Sequence, residues 1–129
     1  MMANDFEKKA IAERFLELLR NRDWVTMRSV FTDDAIWCLP GSNKISGLAE
    51  GADAVVERAR LIASYGLNFA LKNILIGPEG VALSLNNTAR RGDLVLDEHL
   101  ATVCQIRDGK IARIDTYLSD VPMMNAFFV

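Results

Sequence analysis

The hydrophobic pattern of this chain changes period near Asn68, and that change constrains the fold more than any other feature. Before it, apolar residues recur at three- and four-residue spacing, which suits helices with one buried face; after it they alternate, which suits strands with one buried face. The spacing predicts a helix over 4–21, with Phe6, Ile11, Phe15, Leu18 and Leu19 as its stripe and Asn4 and Glu7 as a capping pair. Asp23 caps a shorter second helix bearing Trp24, Met27, Val30 and Phe31, which ends at Asp33 and Asp34 before a short strand over 35–39. The turn-forming run Pro40-Gly41-Ser42-Asn43, continuing through Gly47 and Gly51, reads as one irregular connection. A third helix is expected from about 53 to 65, stopped by Gly66.

Strands are expected over 69–76, 81–90, 94–106 and 111–118, separated by Gly-Pro-Glu-Gly, Arg-Gly-Asp and Arg-Asp-Gly-Lys turns. The expected fold class is α+β, with three N-terminal helices packed on a curved antiparallel sheet in one domain spanning 1–129. The tail, 119–129, ends in Ala126-Phe127-Phe128-Val129 and is too apolar to stay free of a partner surface. With 129 residues, half of them hydrophobic, the chain can bury roughly two-thirds of its unfolded surface without disulfide or metal support.

Cys38 and Cys104 lie far apart with a single histidine to assist them, so reduced core thiols are expected, with no metal and no cofactor. Reduced thiols and the lack of a signal-length apolar run near the N-terminus point to a cytoplasmic protein. A net charge of -2 argues against nucleic acid, which requires a clustered excess of Lys and Arg, Arg90 and Arg91 being a pair and not a patch, and no stretch is long and apolar enough to span a membrane.

Strand register sorts the side chains, since a slip of one residue reverses every face. A two-residue turn at Asp108-Gly109 would set Arg113, Asp115 and Tyr117 beside Cys104, Thr102 and Leu100. A three-residue loop over 107–109 instead groups Ala112, Ile114, Thr116 and Leu118 with Cys104, Thr102, Leu100 and Glu98. The second segregates apolar from polar and is adopted. The same test around Gly92-Asp93 sets Val81, Leu83, Leu85, Asn87 and Ala89 opposite Cys104, Thr102, Leu100, Glu98 and Leu96.

The inner face so defined is apolar except for Asn87, Glu98, Thr102 and Thr116. Glu98 is the sharpest catalytic candidate, because an enclosed carboxylate suits a general base or acid; the alternative sets it at the sheet rim, solvated or bonded to Asn87. His99 has Asp97 nearby in sequence and Asp115 and Tyr117 across the hairpin, but all four fall on the outer face, where a subunit contact or a solvated surface is the plainer reading. Trp37 shares a face with Leu39 and lines either a pocket or the core.

Several local patterns follow in a familiar order: Arg14-Phe15-Leu16, Phe31-Thr32-Asp33-Asp34-Ala35, Trp37-Cys38-Leu39-Pro40-Gly41, Arg107-Asp108-Gly109-Lys110-Ile111, then Tyr117, Asp120 and Phe127-Phe128. Across nearly the whole chain this resembles the nuclear-transport-factor-2-like superfamily, in particular its SnoaL-like and ketosteroid-isomerase-like members. The resemblance implies a cone-shaped α+β barrel of cystatin-like fold, a deep pocket, and a homodimer joined through the outer sheet face at Asp97, His99, Asp115 and Tyr117. It also implies that ketosteroid-isomerase chemistry is lost: Leu39 falls at the base position, Phe15 at the tyrosine and Thr102 at the acidic donor. Thr116 corresponds to the last-strand aspartate of limonene-epoxide hydrolases, Asp115 and Asp120 lie nearest the acid/base of SnoaL-type cyclases, and Cys38 stands where many relatives carry histidine.

The resulting expectation is a pocket lined by Phe15, Trp37, Leu39, Leu83, Leu85, Asn87, Leu100, Ile114, Thr116 and Leu118. It would serve an isomerase-, cyclase- or hydrolase-type proton transfer on a hydrophobic carbonyl compound, with Glu98 and Thr102 as the catalytic pair. A non-catalytic small-molecule-binding domain is the rival, and a dimeric interaction module with its pocket plugged by Trp37 and the Phe127-Phe128 tail is a third reading.

Overall fold

A computed structural model describes residues 3–129. Helix α1, Asp5–Asn21, starts where Asn4 accepts the Glu7 N–H at 2.8 Å and ends at Arg22, whose left-handed backbone turns its N–H onto the Leu18 and Leu19 carbonyls. Its inward stripe centres on Ala12, Phe15, Leu16 and Leu18, while the expected Phe6 points to solvent at 81% exposure. Lys8 is buried in its place, its ammonium donating to the Gly77 and Pro78 carbonyls at 2.7 and 3.1 Å.

Helix α2, Trp24–Arg28, is capped by Asp23 and stops earlier than the spacing predicts. Strand β1, Phe31–Leu39, begins correspondingly early, because Phe31 pairs with Ile111 and packs edge-on against Phe15 at 5.8 Å. The presumed irregular connection contains β2, Gly47–Glu50, a short antiparallel partner of β1 with too little alternation to be read locally. Helix α3, Ala52–Ala63, packs on β1.

Strands β3, Asn68–Ile76, β4, Gly80–Arg91, β5, Leu94–Arg107, and β6, Lys110–Leu118, form the expected meander. The apolar tail folds into α4, Val121–Phe127, which packs back on β5 and buries Met124, Phe127 and Phe128. The six strands run β2-β1-β6-β5-β4-β3, and β1 lies parallel to β6. The α+β architecture therefore holds, with three corrections. The sheet is mixed; it stays open, with β2 and β3 as edges, and does not close into a barrel; and α3 follows two strands while α4 ends the chain, so the helices are not all N-terminal.

The β4–β5 register is the expected one, pairing Val81 with Cys104, Leu85 with Leu100 and Asn87 with Glu98. At β5–β6 the faces are as expected but the device differs. Arg107 pairs with Lys110 across a two-residue turn in which Asp108 and Gly109 both take positive φ, the geometry that matches strand twist. A register shift between Gln105 and Ile106 then restores the parity that the short turn would have reversed. Ile114, Thr116 and Leu118 consequently oppose Cys104, Thr102 and Leu100, one inward pair away from a three-residue loop.

Candidate functional site: a cavity on the inner face of the sheet

The inner face of the sheet and the helices over it enclose a cavity of about 370 Å³. Trp37, Leu39, Phe69, Leu85, Asn87, Leu100, Thr102, Thr116 and Leu118 supply its sheet wall. Phe15, Leu16 and Leu19 of α1, Ala59, Ile62 and Ala63 of α3, and Met124 and Phe128 at the C-terminal segment close the other side. Arg20, Arg22 and Asn68 are its exposed members and mark the mouth. Trp37 and Phe128 border the space without filling it.

Polar groups are few and placed. The Trp37 indole N–H donates to Thr116 Oγ1 at 2.9 Å in a buried bond, leaving the Thr116 hydroxyl free to donate. Thr102 is the cross-strand neighbour of Thr116, so two hydroxyls stand side by side on one wall. Trp37 is itself pinned from behind by Arg58, which sequence reasoning missed. The Arg58 guanidinium lies 5.6 Å from the indole ring and donates to the Trp37, Gly47 and Ser46 carbonyls at 2.9, 3.0 and 3.3 Å. Partial burial pulls this guanidinium below the usual arginine range. A helical arginine twenty-one residues downstream carries no local signal that it will stack on a strand tryptophan.

Glu98 is completely buried yet does not border the cavity. Its Oε1 accepts the Ser119 hydroxyl at 2.9 Å and the Asp120 N–H at 2.8 Å, tying the entry to α4 onto β5. Its Oε2 has no partner, and neither does the Oδ1 of Asn87, the cavity-wall residue directly opposite it in the sheet. Leu83 and Ile114, also expected to line the pocket, are fully buried in the core and stand outside the wall. Phe15, Leu39 and Thr102 all border the cavity.

The opposite side of the sheet carries the other candidates. Asp97, His99 and Tyr117 are exposed there and Asp115 is half-buried; Asn86 donates to Asp97 at 2.9 Å, and Arg113 grips Asp115 at 2.8 and 3.0 Å. The Arg113 guanidinium also lies 3.4 Å from the Cys38 sulfur, a neighbour invisible in the local sequence. Cys104 is fully buried, and burial pushes its thiol up to about 12.

An α+β domain with a bent open sheet, helices over its inner face and an enclosed apolar cavity is the NTF2-like, or cystatin-like, class of fold. Residues 12–114 match the SnoaL-like domain family, and the chain belongs to it. No curated protein matches the sequence significantly. Among solved structures, Bal32a from a soil-derived mobile gene cassette is 23% identical with a TM-score of 0.87, over 95% of this chain and 97% of that one. An NTF2-like protein from Burkholderia xenovorans is 18% identical with a TM-score of 0.84 over the whole of both chains. A cystatin-like-fold protein from Xanthomonas campestris is 22% identical with a TM-score of 0.82, over 94% and 97%.

Proposed function

We propose that this SnoaL-like domain holds a small, largely apolar molecule in its cavity, with Thr102, Thr116 and Asn87 as the groups that orient it. The supporting observation is an enclosed space of about 370 Å³ whose wall is apolar apart from a few placed donors and acceptors, as ligand sites generally are. A thermal-shift screen over steroids, polyketide-like aromatics and small terpenoids tests it, since a ligand that binds only the folded state raises Tm. The cavity-filling substitution Ala63→Trp should abolish any shift while leaving the domain folded. A Tm rise that survives this substitution would put the ligand elsewhere.

Proton transfer beside a carbonyl is the second reading, and one observation favours it. The only carboxylate oxygen on the inner face of β5 without a hydrogen-bond partner, Glu98 Oε2, stands across the strand pair from wall residue Asn87. In this reading Glu98, which lies outside the cavity wall, turns its unpartnered Oε2 past Asn87 to reach the ligand as the base, while Thr102 and Thr116 stabilise the developing oxyanion. Once a carbonyl ligand is found, exchange of its α-hydrogens in D2O can be followed by NMR. Glu98→Gln, which keeps an acceptor for Ser119 and Asp120, should stop exchange without stopping binding; undiminished exchange would sink the reading.

A further inference from the structure

We propose that the ligand is an amphipathic anion, an apolar body with a carboxylate or comparable acidic group held at the cavity mouth; this rests on the ligand-binding reading above. Among the described residues the wall contains no aspartate, glutamate, histidine or lysine, and its only ionisable groups are the guanidiniums of Arg20 and Arg22. That bias runs against the composition, in which acidic residues outnumber basic ones 17 to 15. Neither arginine forms an ion pair among the described residues; Arg14, Arg58, Arg90 and Arg91 form none either, but only Arg20 and Arg22 border the cavity.

Both cations are placed. The Arg20 guanidinium lies 4.7 Å from the centroid of Phe69, itself a wall residue, so one face is stacked, and its N–H groups donate to none of the described residues. Arg22 occupies the left-handed cap of α1 and donates one N–H to the Ala63 carbonyl at 3.2 Å, bracing it between α1 and the end of α3. A basic residue in the last turn of a helix complements the helix dipole, which explains a cation near this end but not its stacking on the cavity wall. Two guanidiniums beside a low-dielectric cavity focus a positive field on whatever enters, and their forked donors match a carboxylate. A neutral guest leaves that field unused, and a cationic one is repelled.

Calorimetric titration with two matched pairs tests this: decanoate against decan-1-ol, and 2-naphthoate against 2-naphthylmethanol. Each acid should bind about tenfold more tightly than its alcohol at low ionic strength, with the advantage shrinking as salt is raised to about 0.5 M. The double variant Arg20→Gln/Arg22→Gln should bind acid and alcohol alike, with a far-UV circular-dichroism spectrum and a Tm close to those of the unsubstituted protein as the check on folding. Equal affinity for acid and alcohol overturns the anion assignment and leaves the binding reading standing. A preference that survives the double variant overturns the role of these arginines, and heat from neither member of either pair overturns the binding reading along with it.

Discussion

Cys104 shows at the scale of one residue how burial is converted into chemistry. Its thiol is raised from 9.0 to about 12 by desolvation alone, so between those values the unfolded chain gives up a proton that the folded chain retains. Folding is therefore favoured below about 9, and this contribution is lost as pH rises towards about 12, with a slope of at most about 1.4 kcal/mol per pH unit. Urea unfolding of the parent and Cys104→Ala across that window should show a shallower alkaline decline in the variant; identical slopes would refute the assignment. Gly80 is a second single-residue constraint, because a Cβ there would lie 1.8 Å from the Cys104 carbonyl oxygen, which belongs to a paired backbone and cannot move aside. Gly80→Ala should cost at least ~2 kcal/mol, read as a lower urea midpoint with unchanged m.

Among the elements, α4 depends most on contacts from afar. Glu98 holds Ser119 and the N-cap Asp120 just ahead of it, Asn125 accepts from the Ser42 N–H and the Asn43 amide at 2.8 Å each, and Arg91 donates to the Phe127 and Val129 carbonyls at 3.0 and 2.9 Å. Seven residues do not form a stable helix alone, so these ties and the packing of Phe127 and Phe128 against Tyr65 make the element. Glu98→Ala should cost about 2–4 kcal/mol by leaving Ser119 and the Asp120 N–H unpaired. Hydrogen exchange should then accelerate through 121–128 while β4 and β5 stay protected; uniform loss of protection would mean that Glu98 supports the sheet as a whole. Sequence reasoning put Glu98 inward by alternation, but alternation says only which face a side chain takes. It does not say how far the cavity extends along or across the strands, which is why Leu83 opposite Thr102 and Glu98 opposite Asn87 share the face of wall residues without belonging to the wall.

For the whole molecule, the outer face of the sheet is the surface left over once the helices have covered the inner one. Half-buried Ala101 and Val103 lie there between exposed Leu75 and Tyr117, the latter 66% exposed, and we propose that a second copy covers this face around Asp97, His99, Asp115 and Tyr117. Sedimentation velocity should show a dimer that Tyr117→Glu converts to monomer; a monomeric parent would dismiss the proposal. Among the described residues no helix is long and apolar enough to cross a membrane.

Strand β2 and helix α4 were not legible in the sequence, whereas the order of α1, α2, β1, α3 and β3 to β6, the inward row Leu85, Asn87, Leu100, Thr102 and Thr116, and the end of α3 before Gly66 followed from it alone. Each rests on a short-range period or a backbone preference that a handful of neighbouring residues carries. Other features required the folded chain: the pairing of Phe31 with Ile111 that lengthened β1, the shift beside Ile106 that rescued the face of β6, the Arg58 brace behind Trp37, and the capture of α4 by Glu98. Each joins residues distant in sequence through bonds whose partners no local pattern names. The cavity belongs to both, its lining chosen by alternation and its closure, depth and positive mouth decided only where α1, α3 and α4 meet over the sheet.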